Sequence, residues 1–260
     1  MDAIGALDPA SSRYARDLLT ALLSELGEDL IGLYLYGSAA TGPYLHGHSD
    51  LDAALVTRDW LGEERVRRLL DRVRRLQRPS AVKGLDLWTV PLASTLRPRA
   101  DPPFEAWLLT TIGSELIGGP DHPGDARVAL LYAMCLDHGL PVAGPSPQAV
   151  FRSVERQWLI DAMRVDLALV GAAGWYRVLN ACRTLHFLEE GRLCGKLRGA
   201  AWARDRLGDP PLVDAAVEWR RRGTGPPLPP ERVDAFVAGV AARLAELSPT
   251  EVPAGTPVVE

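Results

Sequence analysis

Two apolar runs, joined through a Gly-Ser turn and an Asp-x-Asp pair, constrain this chain more than any other feature. Leu30-Ile31-Gly32-Leu33-Tyr34-Leu35-Tyr36 reads as a strand and runs directly into Gly37-Ser38. Twelve residues after Ser38 begins Asp50-Leu51-Asp52, continued by Ala53-Ala54-Leu55-Val56 as a second strand. Side chains two residues apart on a strand project to the same face, so Asp50 and Asp52 are expected to point into one site. Two such carboxylates repel each other unless a cation lies between them. Their hard oxygens suit Mg²⁺, which binds through one or two carboxylates plus substrate phosphates. Gly37 lets backbone approach a phosphate closely, and the Ser38 hydroxyl with nearby N–H groups can hold its oxygens. Alone, a Gly-Ser turn is a loop signal and Asp-x-Asp a solvated strand edge; their spacing after an apolar strand is what joins them.

This pattern resembles the signature of the nucleotidyltransferase superfamily. The resemblance implies transfer of a nucleoside monophosphate from an NTP, here ATP, with two Mg²⁺ ions and pyrophosphate as leaving group. It also implies a third carboxylate on a neighbouring strand. Gly84-Leu85-Asp86-Leu87-Trp88-Thr89-Val90-Pro91 offers Asp86, which would act as the base or complete a metal site with Asp50 and Asp52. Gly37, Ser38 and Ser49 are the expected nucleotide contacts on this side.

At 260 residues, with 47% hydrophobic and 24% charged residues, the chain is long enough for one large or two small domains with real cores. A net charge of −4 argues against a nucleic-acid partner, which calls for a basic stripe, and suits a small, polar, cationic acceptor. The amino terminus shows no basic region followed by an apolar run, and no segment reaches the ~18 apolar residues of a membrane span. A cytoplasmic protein without a membrane partner is the expectation, a monomer by default. Cys135, Cys182 and Cys194 do not pair at metal-ligand spacing and read as buried thiols.

The predicted fold class is α+β: an N-terminal nucleotidyltransferase-like mixed sheet with helices over 1–150, then an all-helical bundle over 151–248. Residues 249–260 read as a loose tail. Helices are predicted over 9–26, 62–77 and 126–138, and strands at 30–36, 50–56, 84–91 and 104–112, with a Pro-rich linker at 97–103. Five more helical periodicities follow, near 157–170, 175–191, 196–207, 212–222 and 231–247.

Tyr176-Arg177-Val178-Leu179-Asn180-Ala181-Cys182-Arg183-Thr184-Leu185, followed by Gly191 through Lys196 and Gly199-Ala200-Ala201-Trp202, is similar to the helical domain of aminoglycoside adenylyltransferases of the streptomycin/spectinomycin type. That resemblance implies an acceptor hydroxyl on an aminoglycoside or aminocyclitol antibiotic and a resistance function. It places Lys196 on the triphosphate, where a compact ammonium can stabilise departing pyrophosphate. Trp107, Asn180 and Arg183 are the candidate substrate-lining residues. Three departures stand out. Ala172-Ala173-Gly174-Trp175-Tyr176 lacks the acids expected before this helix, leaving Asp166 as the nearest carboxylate, able to stand in only if the loop is rearranged. Asp86 stands where those enzymes carry glutamate, and Arg127 where they carry an acid. Two other readings stay open: nucleotidyl transfer to a different metabolite or protein hydroxyl, and a catalytically silent nucleotide-binding module.

Overall fold

The computed structural model describes residues 7–168, 171–204, 206 and 209–246. The predicted tail at 249–260 lies outside them. The chain opens with α1 (Pro9–Leu26), whose start is fixed by Pro9 at its first position and by the Asp8 carboxylate, which accepts from the N–H groups of Ala10 and Ser11 at 3.0 and 3.1 Å. Next come β1 (Leu30–Leu35), a single turn α2 (Ser38–Thr41), β2 (Leu51–Thr57), α3 (Glu63–Arg74), β3 (Leu85–Pro91) and the short α4 (Leu92–Leu96). The sheet part continues through β4 (Ala106–Leu109), β5 (Ser114–Ile117), α5 (Ala126–His138), β6 (Leu140–Ala143) and α6 (Pro147–Val150). The helical part holds α7 (Arg156–Leu167), α8 (Gly174–Glu190), α9 (Lys196–Arg204), α10 (Pro210–Arg222) and α11 (Pro230–Glu246). The α+β class is thus the observed one.

The six strands form one mixed sheet in the order β5-β4-β3-β2-β1-β6. Only β2 and β3 run parallel, and α3 supplies the crossover that parallel neighbours need. Both faces of the sheet are covered. Leu33, Leu35, Leu51, Ala53, Leu55, Leu85 and Leu87 pack on α1 and α3, through Leu18, Leu22, Leu69 and Leu70. The alternate residues Tyr34, Ala54, Val56, Trp88 and Val90 pack on Val128, Leu131 and Tyr132 of α5 and on Phe151. Fully burying a leucine or valine contributes about 1.5–3 kcal/mol, so this double cover fixes the strand register firmly.

Two predictions change in detail. The segment 97–103 is no linker: it loops back within the sheet part, with Pro102 buried and the Pro103 carbonyl accepting from Ser94 Oγ at 3.0 Å. The predicted strand at 104–112 is shorter, Ala106–Leu109, because Thr110 to Gly113 make the turn into β5. The helical part has its own core of Ile160, Val178, Leu179, Cys182, Leu185, Val213, Val237 and Leu244, which Ala133 of α5 joins. Cys135, Cys182 and Cys194 are free and buried, as expected. Among the described residues no helix is long and apolar enough to cross a membrane.

Candidate active site

The site lies at one end of β2 and β3, against α8, α9 and α10 of the helical part. β1 and β2 are antiparallel, so the turn leaving β1 meets the start of β2. Gly37 there has φ +59°, and a Cβ at this position would stand 1.9 Å from Asp52 Oδ2. Only glycine satisfies both the left-handed backbone and that close approach. The Ser38 N–H consequently points at Asp52 Oδ2, 3.4 Å away.

Parallel pairing sets Asp52 directly beside Asp86. Asp86 Oδ1 accepts from Trp107 Nε1 at 2.7 Å. Burial pushes the Asp86 carboxyl up to about 7, with the neighbouring Asp52 adding to the shift and the indole donor opposing it. Burial likewise pushes Asp52 up to about 6, against the pull of Lys196. The Tyr36 hydroxyl, buried and facing both carboxylates, is held well above its ordinary value. A pair of carboxylates this hard to ionise side by side is one that a cation would stabilise.

Asp50 sits just before β2 and is held separately. Thr111 Oγ1 donates to its Oδ1 at 2.6 Å, and Lys83 Nζ lies 3.9 Å from its Oδ2. The absence of a side chain at Gly84 permits this: a Cβ there would meet Thr111 Oγ1 at 2.1 Å and Asp50 Oδ1 at 2.7 Å. Thr111→Val should therefore cost roughly tenfold in catalytic rate by freeing the carboxylate to rotate, while Thr111→Ser keeps the donor and most of the rate. Steady-state kinetics of the two variants checks this.

The helical part closes the site with cations. Lys196 begins α9, and Gly195 before it lets the chain pack on Thr41, 2.9 Å from where a Cβ would sit. The Lys196 ammonium stands 4.7 Å over the Tyr176 ring. Burial, and then Arg183, bring its pKa down to about 8, while Asp52 and Asp166 oppose the shift. Arg183 pairs with Asp166 at 3.5 Å and donates to Asn180 Oδ1 at 3.0 Å. Asp166 thus stands near this site on α7, already paired with Arg183.

Of the residues singled out from sequence, Gly37, Ser38, Asp50, Asp52, Asp86, Lys196, Trp107 and Arg183 surround this cleft. Ser49 is placed differently. It is fully buried, its Oγ accepts from the Leu45 N–H at 2.9 Å and from Arg220 Nη2 at 2.8 Å, and that hydroxyl ties the loop before Asp50 to α10. Asn180 is also buried, and its Oδ1 accepts from Arg183 Nη2 at 3.0 Å. Trp107 spends its indole N–H on Asp86, so it orients that carboxylate as well as lining the cleft.

Sequence reasoning missed Arg220, Thr111 and Lys83. Arg220 donates to the His48 carbonyl as well as to Ser49, and its charge reaches Asp52 and Asp50. The available signal was its phase: it continues the buried stripe of Leu212 and Ala216, where an arginine needs a partner. Thr111 and Lys83 carried no such signal, being exposed residues of a turn and a loop.

These carboxylates, the glycine turn and the opposed ammonium can together hold a triphosphate and activate a hydroxyl. The C-terminal part of the chain, residues 149–243, matches the family model described as the aminoglycoside adenylyltransferase C-terminal domain. Among solved structures, the fold is similar to that of the spectinomycin adenyltransferase AAD(9) from Enterococcus faecialis, determined with ATP and spectinomycin. The two share 14% identity with a TM-score of 0.72, over 88% of this chain and 98% of that one. No curated protein matches the sequence. The chain thus has the fold of that adenyltransferase structure, and its residues 149–243 are similar to the C-terminal domain of the aminoglycoside adenylyltransferases.

Proposed function

We propose that this protein transfers AMP from ATP to a hydroxyl of an aminoglycoside- or aminocyclitol-type antibiotic, and so confers resistance to it. The observation that carries the reading is the in-register pair Asp52 and Asp86, with the Ser38 N–H on one side and Lys196 delivered from the helical part on the other.

The donor set fits Mg²⁺. Burial raises both Asp52 and Asp86, with Asp50 adding to the shift of the first and Asp52 to that of the second, while Thr111 orients Asp50. Among the described residues no cluster of three or more His, Cys, Asp or Glu side chains is drawn together around one metal position. Asp50 and Asp52 would hold the ion, and when bound it would supply charge neutralisation at the phosphates.

The remaining roles belong to the chain itself. Gly37 and the Ser38 N–H cradle phosphate oxygens next to Asp52. The Asp86 carboxylate takes the proton of the acceptor hydroxyl, and a carboxyl near neutrality suits a general base at physiological pH. The acceptor oxygen bonds to the α-phosphorus, the bond to the bridging oxygen breaks, and pyrophosphate carries away the electron pair. Lys196 holds the negative charge that gathers on that leaving group. The acceptor lies between the sheet and the helical part, where pockets commonly form.

Pyrophosphate release from Mg-ATP across a panel including streptomycin and spectinomycin, with mass spectrometry of the drug, tests this. The expected result is an adenylylated drug and its loss in Asp50→Ala and Asp52→Ala. Near-normal transfer by either variant would sink the assignment.

A further inference from the structure

One corner of the cleft is occupied by the chain's own cation. Asp125 caps α5, accepting from the Arg127 N–H at 2.8 Å, and its two oxygens accept from Arg127 Nε at 3.0 and 3.1 Å and from Nη2 at 2.6 Å. So held, the guanidinium lies with its central carbon 5.3 Å from the Trp88 ring centre and 5.0 Å from that of Trp107. The two indoles are 5.7 Å apart and tilted by 32°, forming a shelf. The edge of this shelf is the Trp107 N–H that holds Asp86. Arg127 is thus one side chain away from the carboxylate that takes the acceptor's proton, and its charge reaches both Asp86 and Asp166.

An aromatic shelf beside carboxylates is where an ammonium or guanidinium of a ligand would settle. Here an arginine of the protein lies against it and engages both oxygens of Asp125. The other carboxylate on this side, Asp166, is paired with Arg183. A positive group of the acceptor brought to this corner would meet a like charge, with Asp125 and Asp166 already paired to arginines.

We propose that Arg127 is a specificity-determining residue: by filling the Trp88–Trp107 shelf and masking Asp125, it selects acceptors that present an uncharged, hydroxylated face next to Asp86. The inference rests on the adenylyl-transfer reading only in taking Asp86 as the mark of the acceptor's position. The substrate class it names is a polyol or aminocyclitol whose cationic groups, if any, point away from α5. Arg127 acts through charge and occupancy, without touching the reacting atoms.

Calorimetry with the full chain, Mg²⁺ and a non-hydrolysable ATP analogue tests it. The probes are spectinomycin, a dication, and an N-acylated, uncharged derivative of it. Arg127→Gln removes a cation and unmasks an anion, so spectinomycin should bind about tenfold tighter or more. The uncharged derivative should move by less than about threefold, because no ion pair is gained. Arg127→Lys should keep the wild-type preference. Should the released Asp125 spoil the folding of Arg127→Gln, the neutral pair Asp125→Asn/Arg127→Gln keeps the capping group and should still tighten spectinomycin. Affinity for spectinomycin that is unchanged, weaker, or undetectable in wild type and variants alike overturns the proposal. The nucleotide analogue's own binding is read in the same titrations. Failure to take it up undoes the adenylyl-transfer reading independently of Arg127.

Discussion

Asp86→Asn is expected to slow transfer by orders of magnitude and, in the absence of ligands, to make the protein more stable. Both effects have one cause. Asp86 stands beside Asp52 in a cleft that strips water from it, and the Trp107 indole donates to it. Its carboxyl is pushed from 3.8 up to about 7 on folding, so the folded state resists its ionisation. A group raised in this way favours folding while it is neutral, at low pH. That advantage is lost as pH rises through about 7, and above that the ionised group opposes folding. Asparagine has the same shape and no charge to lose. At pH 8 the variant should gain about 1–2 kcal/mol after allowance for water in the open mouth of the cleft. In a protein of this size that is roughly 2–8 °C in melting temperature. The difference should close only below about pH 4, where the carboxyl is neutral in the unfolded wild-type chain as well. Glu105, 2% exposed and also pushed up to about 7, gives both proteins the same pH trend and cancels in the comparison. Mg²⁺ should narrow the gap at pH 8 by stabilising the wild type alone. The rate should fall by about 10²–10⁴, the usual worth of a positioned general base. A variant that melts lower than wild type at pH 8 would contradict the account of Asp86 as an electrostatically costly catalytic group.

Much of this site could be read from the chain because its chemistry is written in local pattern. Gly37 and Asp52 occur at a fixed spacing, and the need for glycine follows from one contact, the approach of Asp52 to the turn. The strands β1, β2 and β3 have long apolar runs, since both faces of the sheet are buried. What could not be read was set by tertiary contacts. β5 and β6 are four residues each, lie at the sheet edges and carry no buried residue, so no alternation marks them. The pairing of Asp52 with Asp86 depends on how the crossover through α3 sets the register of two separate strands. Ser49 looked like a phosphate ligand because it precedes Asp50, yet an arginine from α10, more than 170 residues away, takes its hydroxyl. Arg127 showed in the sequence only as a departure from a family pattern. Its engagement with Asp125 and two indoles is visible only in three dimensions. Charged side chains are the hard case for sequence reasoning: their long stems reach several alternative partners, and burial decides which one matters.

Lys196→Met should leave a folded protein that binds ATP but transfers slowly, with a changed response to pH. The ammonium is the group from the helical part that pulls most strongly against the burial of Asp52, and it lies against the Tyr176 ring. Removing it takes away a charge positioned for the leaving group, which should cost about 10²–10³ in rate. Lys196→Arg should rescue little, because a planar guanidinium is longer and cannot occupy the place of a compact ammonium over Tyr176. Two titrations separate this electrostatic role from simple packing. With its pKa brought down to about 8, Lys196 sheds its proton within the working range, so wild-type kcat/KM should decline above about pH 8. The methionine variant, having no proton there to lose, should lack that limb. Asp52 should respond in the opposite sense: without its main cationic neighbour, its carboxyl should titrate above the wild-type value of about 6 in the ligand-free protein. Carbon NMR of the aspartate carboxyls reads that shift directly. An unmoved Asp52 titration, or an alkaline limb that survives in Lys196→Met, would mean that the helical part closes the cleft without governing its charge.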